Sequence, residues 1–189
     1  MVWIPCLVSD AAMKENNGYN VAIIGATGLV GQEFIKVLVQ RNFPMNSVQL
    51  LASDRSAGRK LAVSDREVEV QETSPESFEG MDIALFSAGV EISRHFSPMA
   101  AQSGAVVIDN SAAFRMEPAV PLVVPEVNPE DIRWHNRIIA NPNCSTIQMV
   151  VALYPLHKVN PIKRIIVDTY QSVSGTGSPA VEEVTVQTR

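Results

Sequence analysis

One of the two cysteines of the chain, Cys144, lies in the stretch NPNCST, where a short apolar run ends and a longer one begins. The run before it, residues 137–140, has the pattern of a buried strand, and the run after it has that of a helix. Pro142 keeps the preceding residue extended, which puts Cys144 at or near the N-cap of a helix that begins at Ser145. Because a helix N-terminus stabilises negative charge, this position favours the nucleophilic thiolate. A buried structural cysteine is the alternative interpretation.

Three glycines in the stretch GATGLVG form a second pattern with chemical meaning. Gly25, Gly28 and Gly31 stand between a predicted strand at residues 20–24 and a predicted helix at residues 29–41. Glycine lets the backbone turn tightly and approach a phosphate, and the helix N-terminus directs its free N–H groups at the anion. The stretch is therefore predicted to bind a dinucleotide; the alternative is a tight turn that binds nothing.

The end of the second predicted strand, in the stretch ASDRSAGRK, bears on the choice between NAD and NADP. An acidic residue at this place usually binds the ribose hydroxyls of NAD, whereas an arginine accommodates the 2′-phosphate of NADP. Ser53, Arg55 and Ser56 offer charge and hydroxyl donors to a phosphate. Asp54 favours NAD unless its carboxylate faces solvent. The stretch favours NADP, and a solvated loop without a ligand is the alternative.

Both patterns follow predicted strands, so they are expected at the same edge of a sheet. In α/β proteins, ligands bind at the carboxyl ends of parallel strands. A nucleophilic cysteine and a nicotinamide at one edge indicate oxidation of an aldehyde, or reduction of an acyl group, through a thioester.

Strands and helices alternate along the chain. The predicted strands are residues 20–24, 47–52, 82–89, 105–110, 137–140 and 162–171, and the predicted helices are residues 29–41, 91–102 and 145–157. Alternation of apolar strands with helices predicts a Rossmann-like, doubly wound, mostly parallel sheet that is covered by helices.

Composition excludes several other classes of protein. The chain has 189 residues, of which 46% are hydrophobic and 19% charged, as in ordinary globular domains. Its net charge of −5 argues against nucleic acid or an anionic membrane as a partner, and no apolar run reaches the roughly 20 residues of a membrane span. Two cysteines and three histidines form neither a disulfide framework nor a cluster with metal-ligand spacing. We expect a cytoplasmic protein without a metal site.

The first residues, 1–18, are expected to form a dispensable, disordered leader. Their short apolar run lacks a preceding basic residue and is interrupted by Pro5, unlike a secretory signal. Met13 is an alternative start to Met1, because it opens the stretch MKENNGYNVAIIG that leads into the first strand.

Six motifs resemble, in this order, those of aspartate-semialdehyde dehydrogenases: GATGLVG, ASDRSAG, DNSAAFRM, VPEVN, NPNCST and YQSVSGTG. The resemblance runs from about Asn20 to the last residue, and its most specific parts are SAAFRM and the NCST that follows an NP. N-acetylglutamyl-phosphate reductases share the chemistry but usually have other residues around the cysteine.

The resemblance implies a role for each residue of a substrate site. Cys144 would be the nucleophile that forms the acyl thioester, and Gln171 would contact the substrate near the reacting carbonyl. Arg115 would bind the acyl phosphate or free phosphate through its guanidinium group. Asn143 would orient the substrate or its phosphate, and Asn110 is expected in the same pocket.

NADP is the cofactor that the resemblance implies. Residues in addition to the three glycines and the loop at residues 53–56 are then expected to contact it. They are Thr27, Leu29 and Val30 at the pyrophosphate, Ser87, Ala88 and Gly89 at the neighbouring edge, and Ser174 and Gly175 at the nicotinamide half.

The implied reaction is the reductive dephosphorylation of L-aspartyl 4-phosphate to L-aspartate 4-semialdehyde, a step in the biosynthesis of lysine, methionine, threonine and isoleucine. The Cys144 thiolate attacks the acyl phosphate, phosphate leaves, and hydride transfer from NADPH reduces the thioester. A reductase of the N-acetylglutamyl-phosphate type is the alternative.

The resemblance also implies a longer, two-domain enzyme. Residues 19–143 would form the NADP-binding domain, and residues 144–189 would begin an α+β catalytic and dimerisation domain whose remainder is missing. The family's catalytic histidine lies well beyond its cysteine, so we expect it after Arg189. His95, His135 and His157 are expected to be surface or structural residues. The chain alone is expected to be inactive in sustained turnover, or to be a non-catalytic nucleotide-binding module, and the full-length protein is expected to be a homodimer or homotetramer.

Overall fold

The computed structural model describes residues 18–188, in which seven strands form one sheet. The strands are β1 (Tyr19–Ile24), β2 (Met45–Ala52), β3 (Lys60–Val63), β4 (Arg66–Glu72), β5 (Ile83–Phe86), β6 (Val106–Asp109) and β7 (Ile138–Ala140). The helices are α1 (Leu29–Gln40), α2 (Val90–Gln102), α3 (Cys144–Val159) and α4 (Ser178–Gln187). Short 3₁₀ helices lie at Asp54–Ser56, Pro75–Phe78, Pro129–Trp134 and Val173–Thr176.

The sheet has the strand order β3-β4-β2-β1-β5-β6-β7, with β1 at its centre. Neighbouring strands are parallel except for β3 and β4. The chain proceeds outward from β1 in one direction through β2 and in the other through β5, β6 and β7. Such a reversal of strand order opens a crevice at the carboxyl ends of the strands, where α/β proteins bind ligands. The predicted Rossmann-like, mostly parallel sheet is confirmed.

Side chains of β1 alternate between the two faces of the sheet, and both faces are covered. Val21 and Ile23 lie in a hydrophobic cluster with Ile35 of α1, whereas Ile24 lies in a second cluster with Ala100 of α2. The β1 members of both clusters have no exposed surface. A strand that is covered on both sides can be apolar at every position, which is why the run VAII shows no alternation.

The hairpin of β3 and β4 forms one edge of the sheet and is absent from the predictions. Strand β4 pairs in parallel with β2 and in antiparallel with β3. Its sequence REVEVQE alternates valines with charged or polar residues, and only Val70 is buried. Charged side chains on a strand near the edge also hinder pairing with another molecule.

The strand predicted at residues 162–171 is wrong, because the structure has no strand in that segment. A strand needs a neighbour for its N–H and C=O groups, and none of the described strands pairs with this segment. Most of its large apolar side chains are exposed, among them Ile166 at 86% and Tyr170 at 102%. The other predicted elements are present, with ends displaced by a few residues.

The expected leader, residues 1–18, lies outside the described part of the chain apart from Gly18. Within residues 18–188, no helix combines the length and the apolar character that crossing a membrane would require.

Candidate active site

The turn between β1 and α1 is built on glycines that admit no larger side chain. Gly25 has a φ of +82°, and a Cβ there would lie 2.5 Å from the Ser87 carbonyl oxygen. A Cβ on Gly31, in the first turn of α1, would lie 2.2 Å from the Gly25 carbonyl oxygen. Backbone conformation requires glycine at the first position, and close packing requires it at the second. The turn therefore lies directly against the segment that follows β5.

A groove of ≈ 720 Å³, called here the glycine-turn groove, lies beside this turn at the carboxyl ends of β1, β2 and β4. The residues predicted at the cofactor that line it are Gly25, Thr27, Gly28, Ser53, Arg55 and Ala88. The Ser56 hydroxyl lies 3.4 Å from the Thr27 hydroxyl and so links the two loops of the groove.

The lining of the glycine-turn groove also contains residues that the sequence did not single out. They are Ala52, Glu72, Thr73, Ile92 and Phe96. Ala52 and Glu72 end β2 and β4, and the end of a parallel strand is the signal that could have indicated them.

Five other residues predicted at the cofactor lie in the two segments beside the groove without lining it. Leu29 and Val30 are exposed in the first turn of α1, and Gly31 is buried beneath the turn. Ser87 and Gly89 lie in the loop from β5 to α2. Their roles stay predictions.

The glycine-turn groove fits the phosphates of a dinucleotide. Gly28 is the N-cap of α1 and provides no side-chain cap, which leaves the first N–H groups of the helix to other partners. The first turn of α1 contains no acidic residue that would repel an anion. A Cβ on Gly28 would lie 3.2 Å from the Gly25 carbonyl oxygen, so glycine also keeps this backbone open to a close approach. A pyrophosphate at a helix N-terminus needs these properties.

The Asp54 carboxylate is held by the backbone of its own 3₁₀ turn, beside the glycine-turn groove that Asp54 also lines. Asp54 begins the 3₁₀ helix Asp54–Ser56, and its Oδ1 accepts a hydrogen bond from the Arg55 N–H at 2.7 Å. The side chains of both residues are exposed. An exposed carboxylate that binds its own backbone competes little with a contact between Arg55 and a phosphate.

Cys144 is the first residue of α3 and is exposed, which excludes the alternative of a buried structural cysteine. Asn143 is the N-cap of this helix, and its Oδ1 accepts a hydrogen bond from the Ser145 N–H at 3.0 Å. The Cys144 thiol donates toward the same oxygen over 4.0 Å. The Gln171 Nε2 donates to the Cys144 Sγ at 3.7 Å. The structure thus brings Asn143, Cys144 and Gln171 together.

The loop after Gln171 contains two further predicted residues, Ser174 and Gly175. Gly175 lies against the Gln171 side chain, since a Cβ there would be 2.4 Å from Nε2. The hydroxyls of Ser172 and Ser174 share a hydrogen bond of 2.9 Å. The lining of the glycine-turn groove does not include this loop.

The Arg115 guanidinium links the turn after β6 to the turn after β7. Its Nε donates to the Asn141 carbonyl oxygen at 2.9 Å, and its Nη2 donates to the Asn110 carbonyl oxygen at 3.0 Å. The Asn141 Nδ2 also donates to the Asn110 Oδ1 at 2.7 Å. Asn141 was not among the predicted residues, although it opens the NPNCST stretch. We call Asn110, Arg115 and Asn141 the arginine clasp.

Asp109, the last residue of β6, is another residue that the sequence did not single out. It is fully buried, and its Oδ1 accepts hydrogen bonds from the Ser93 hydroxyl at 2.8 Å and the Ser111 N–H at 3.1 Å. Its Oδ2 accepts from the Ser111 hydroxyl at 2.8 Å. An acidic residue at the end of an apolar strand is the signal that could have found it.

A second hollow, of ≈ 540 Å³, lies between the first turns of α3 and the end of the exposed segment at residues 162–171. Hydroxyl and amide groups line much of it. They belong to Asn143, Ser145, Thr146, Gln148, Thr169 and Gln171. A hollow of this polarity beside a thiol can hold a small polar acyl group.

Each of the three histidines has a structural contact of its own. His157 is in the last turn of α3, at the opposite end from Cys144, and its Nδ1 accepts a backbone N–H at 3.1 Å. The Nδ1 of His135 likewise accepts a backbone N–H at 3.0 Å. His95 packs edge-on against Phe96. No group of three or more His, Cys, Asp and Glu side chains in residues 18–188 could hold a metal ion.

Known proteins are similar to this chain in sequence and in fold. A family model described as "Semialdehyde dehydrogenase, NAD binding domain" matches residues 20–135. The aspartate-semialdehyde dehydrogenase of Bacillus subtilis (strain 168) is 56% identical over 172 residues, which are 91% of this chain and 50% of the relative. That of Aquifex aeolicus (strain VF5) is 56% identical over 175 residues, which are 91% of this chain and 52% of the relative. The chain spans about half the length of the curated relatives that it matches.

Solved structures show the same likeness. Aspartate semialdehyde dehydrogenase II of Vibrio cholerae complexed with ASA matches with a TM-score of 0.87 and 49% identity, over 90% of this chain and 51% of that chain. The enzyme of Candida albicans with NADP matches with a TM-score of 0.67 and 30% identity, over 77% of this chain and 48% of that chain. The resemblance to aspartate-semialdehyde dehydrogenases is confirmed. Since the family model covers more than half of the chain, this protein belongs to the semialdehyde dehydrogenases, and residues 20–135 are its NAD-binding domain.

Proposed function

We propose that this chain carries the nucleotide-binding and nucleophilic parts of an enzyme that converts L-aspartyl 4-phosphate to L-aspartate 4-semialdehyde with NADPH. The observation that carries the proposal is the setting of Cys144, an exposed thiol on a helix N-terminus with the Gln171 amide nitrogen 3.7 Å from its sulfur. The relatives support the substrate, since they are named aspartate-semialdehyde dehydrogenases and one was solved with ASA.

Cys144 acts as the nucleophile of the first step. Its thiolate attacks the acyl carbon, a carbon–sulfur bond forms, and the bond from that carbon to the phosphate oxygen breaks. The phosphate leaves with the electron pair. The thiol lies at the positive end of the α3 helix dipole, and its exposure gives an acyl phosphate access to it.

Gln171 and Asn143 hold the reacting group. The Cys144 thiol donates a hydrogen bond to the Asn143 Oδ1 over 4.0 Å, and the Gln171 Nε2 donates one to the sulfur. A donor beside the sulfur also suits the oxygen of an acyl group bound there, on which negative charge develops during attack.

Arg115 binds the departing phosphate, with Asn110 beside it. An arginine has five N–H donors, and two of those of Arg115 hold the carbonyl oxygens of Asn110 and Asn141. The guanidinium can therefore keep its place in the arginine clasp and still offer donors to an anion.

NADP binds along the glycine-turn groove. When bound, it supplies a hydride to the thioester or accepts one in the reverse direction. The NADP of the Candida albicans relative supports this choice. The residues proposed to hold it are Gly25, Thr27 and Gly28 at the pyrophosphate, Ser53, Arg55 and Ser56 at the 2′-phosphate, and Ser174 and Gly175 at the nicotinamide half.

The domain boundary is proposed near Cys144. In residues 18–188 the hydrophobic core clusters are drawn from residues 19–139, whereas α3 buries none of its side chains. The general acid–base that moves the protons is proposed outside residues 18–188, because each histidine within them has a structural contact. A cytoplasmic location and assembly as a homodimer or homotetramer complete the proposal.

Phosphate release tests the reaction and its substrate. The chain is mixed with L-aspartyl 4-phosphate or with N-acetylglutamyl phosphate, in the absence of NADPH, and free phosphate is measured over time. We expect a burst of about one phosphate per chain with the aspartyl compound alone, because thiolate attack precedes hydride transfer. The Cys144→Ala variant provides the rate of spontaneous hydrolysis. A burst only with N-acetylglutamyl phosphate would favour the alternative reductase, and no burst with either compound would contradict the proposal.

A further inference from the structure

The buried carboxylate of Asp109 has no part in the proposed reaction, yet it lies at the same edge of the sheet as Cys144. It accepts all three of its hydrogen bonds from Ser93 and Ser111. Ser93 belongs to α2, next to Ile92, which lines the glycine-turn groove. Burial of a carboxylate costs free energy that hydrogen bonds only offset, so stability alone gives little reason for a charge here.

The contacts of Asp109 continue toward the cysteine turn through the backbone. Ser111 is held at both its N–H and its hydroxyl, and its hydroxyl in turn accepts the Ala113 N–H at 3.0 Å. Asn110 directly precedes this hydrogen-bonded turn and Arg115 follows it two residues after Ala113, and both are members of the arginine clasp. The carboxylate therefore holds in place the segment from which the clasp extends.

The arginine clasp then reaches the start of α3. Arg115 and Asn110 hold the carbonyl oxygen and the side-chain amide of Asn141, at 2.9 Å and 2.7 Å. The Asn141 N–H donates to the Asp109 carbonyl oxygen at 2.8 Å, which extends the ladder between β6 and β7. Asn143, the N-cap of α3, follows two residues later along the chain. Hydrogen bonds and the short backbone segments between them thus join the buried carboxylate to the turn that presents the thiol.

We propose that Asp109 is a positioning residue for Cys144, acting through the arginine clasp on the turn at residues 141–144. The inference rests on the proposed function, because Cys144 is the nucleophile of that reaction. Asp109 is not among the lining residues of either hollow, and its side-chain hydrogen bonds are to Ser93 and Ser111 rather than to the thiol. Its effect is to keep the thiol on the N-terminus of α3.

Alkylation of Cys144 by iodoacetamide measures this effect without substrate or cofactor. In a Cys6→Ser background Cys144 is the single thiol. We expect Asp109→Asn to lower the second-order rate of alkylation about two- to fivefold, the factor that corresponds to the interaction of one charge with a helix end. Because Cys144 is already exposed, a loosened turn gains little access and loses alignment. Ser111→Ala, which removes a single hydroxyl donor, should lower the rate in the same direction by less.

Asp82 provides a matched control. Its Oδ2 accepts the Asn20 N–H at 2.9 Å just before β5 begins, at the opposite edge of the sheet. Asp82→Asn makes the same chemical change and is expected to leave the alkylation rate unchanged, even where it lowers the thermal stability. A double variant supplies the second readout. If Asp109 acts through Arg115, Asp109→Asn should slow alkylation no further in an Arg115→Ala chain.

Three results would overturn the proposal: an unchanged rate in folded Asp109→Asn and Ser111→Ala, an equal loss in Asp82→Asn, or losses from Asp109→Asn and Arg115→Ala that multiply. An unchanged rate would mean that Asp109 does not affect the reactivity of Cys144. An equal loss in Asp82→Asn would mean that the rate falls only because the protein is less stable. Losses that multiply would mean that Asp109 does not act through Arg115. Failure of the proposed function is separate, since it would show as normal alkylation of Cys144 without phosphate release from the acyl phosphate.

Discussion

The two amide side chains beside Cys144 present opposite hydrogen-bonding groups to its sulfur. Asn143 presents an oxygen, which accepts from the thiol, and Gln171 presents a nitrogen, which donates to the sulfur. A thiolate has no proton to give and accepts more strongly than a thiol, so it gains most from the second contact. The pair can serve the sulfur in both protonation states, which suits a nucleophile that loses its proton on attack.

Sequence patterns indicate contacts between residues that are close along the chain, and they miss contacts between distant residues. Asn143 and Cys144 are neighbours, and a strand–turn–helix pattern predicts both at one edge. Gln171 is 27 residues from Cys144, and only the family resemblance indicated it. Asp109 was not singled out because, besides the nearby Ser111, its partner is Ser93, which lies 16 residues away on another element. Its place at the end of an apolar strand is a sequence signal, but only tertiary contacts show that the carboxylate is buried.

Arg55 carries the prediction for cofactor choice. Arg55→Ala should weaken binding of NADPH about tenfold or more and leave NADH binding nearly unchanged, because only NADPH offers a 2′-phosphate for a charge-assisted hydrogen bond. Isothermal titration of both cofactors gives the two affinities. Arg59→Ala is the control, since Arg59 is an exposed arginine of the same loop that does not line the glycine-turn groove. Equal losses for NADPH and NADH in Arg55→Ala would reject the role.

At the scale of elements, the packing of α1 on the end of β1 depends on Gly31. A Cβ there would lie 2.2 Å from one backbone oxygen and 2.8 Å from the Ala26 Cα, and backbone atoms cannot rotate away. We expect Gly31→Ala to lower the free energy of unfolding by about 3 kcal/mol, the upper end of the usual cost of overpacking. Urea denaturation measures it.

Gly28→Ala is the graded comparison for that experiment. Its Cβ would lie 3.2 Å from the same oxygen, a contact that a shift of a few tenths of an ångström relieves. It should cost about 1 kcal/mol, the lower end of the same range. A loss in Gly31→Ala no larger than that in Gly28→Ala would mean that the helix can move away from the turn, contrary to the geometry described above.

Apolar periodicity predicts the strands and helices that bury a continuous face, and it fails where burial is partial or pairing is absent. The run at residues 21–24 is apolar throughout because helices cover both of its faces. Strand β4 alternates only two valines with charged or polar residues and buries only Val70, so its apolar signal is weak. Residues 162–171 have the composition of a strand, and no described strand pairs with them. Composition determines what a segment can form, whereas the available neighbours determine what it does form.

At the scale of the whole molecule, one sheet brings the glycine turn and the cysteine turn to the same edge. Strand β1 ends at the glycine turn, and β7 ends just before the NPNCST turn. The strands from β2 to β7 through the centre of the sheet are all parallel, so their carboxyl ends share an edge. Strand–helix alternation predicts this arrangement, but it does not predict the order of the strands or the added hairpin, because those depend on contacts between distant segments.

Acylation of Cys144 is the step on which the proposed reaction depends, and mass spectrometry of the intact protein measures it directly. With L-aspartyl 4-phosphate and without NADPH, we expect the Cys6→Ser chain to gain the mass of one aspartyl group, because thioester formation requires only the thiolate and the acyl phosphate. Peptide mapping should place the added mass on Cys144, and Cys144→Ser should show no thioester. A chain that is folded by circular dichroism and keeps an unmodified Cys144 in the presence of intact L-aspartyl 4-phosphate would contradict the proposed function.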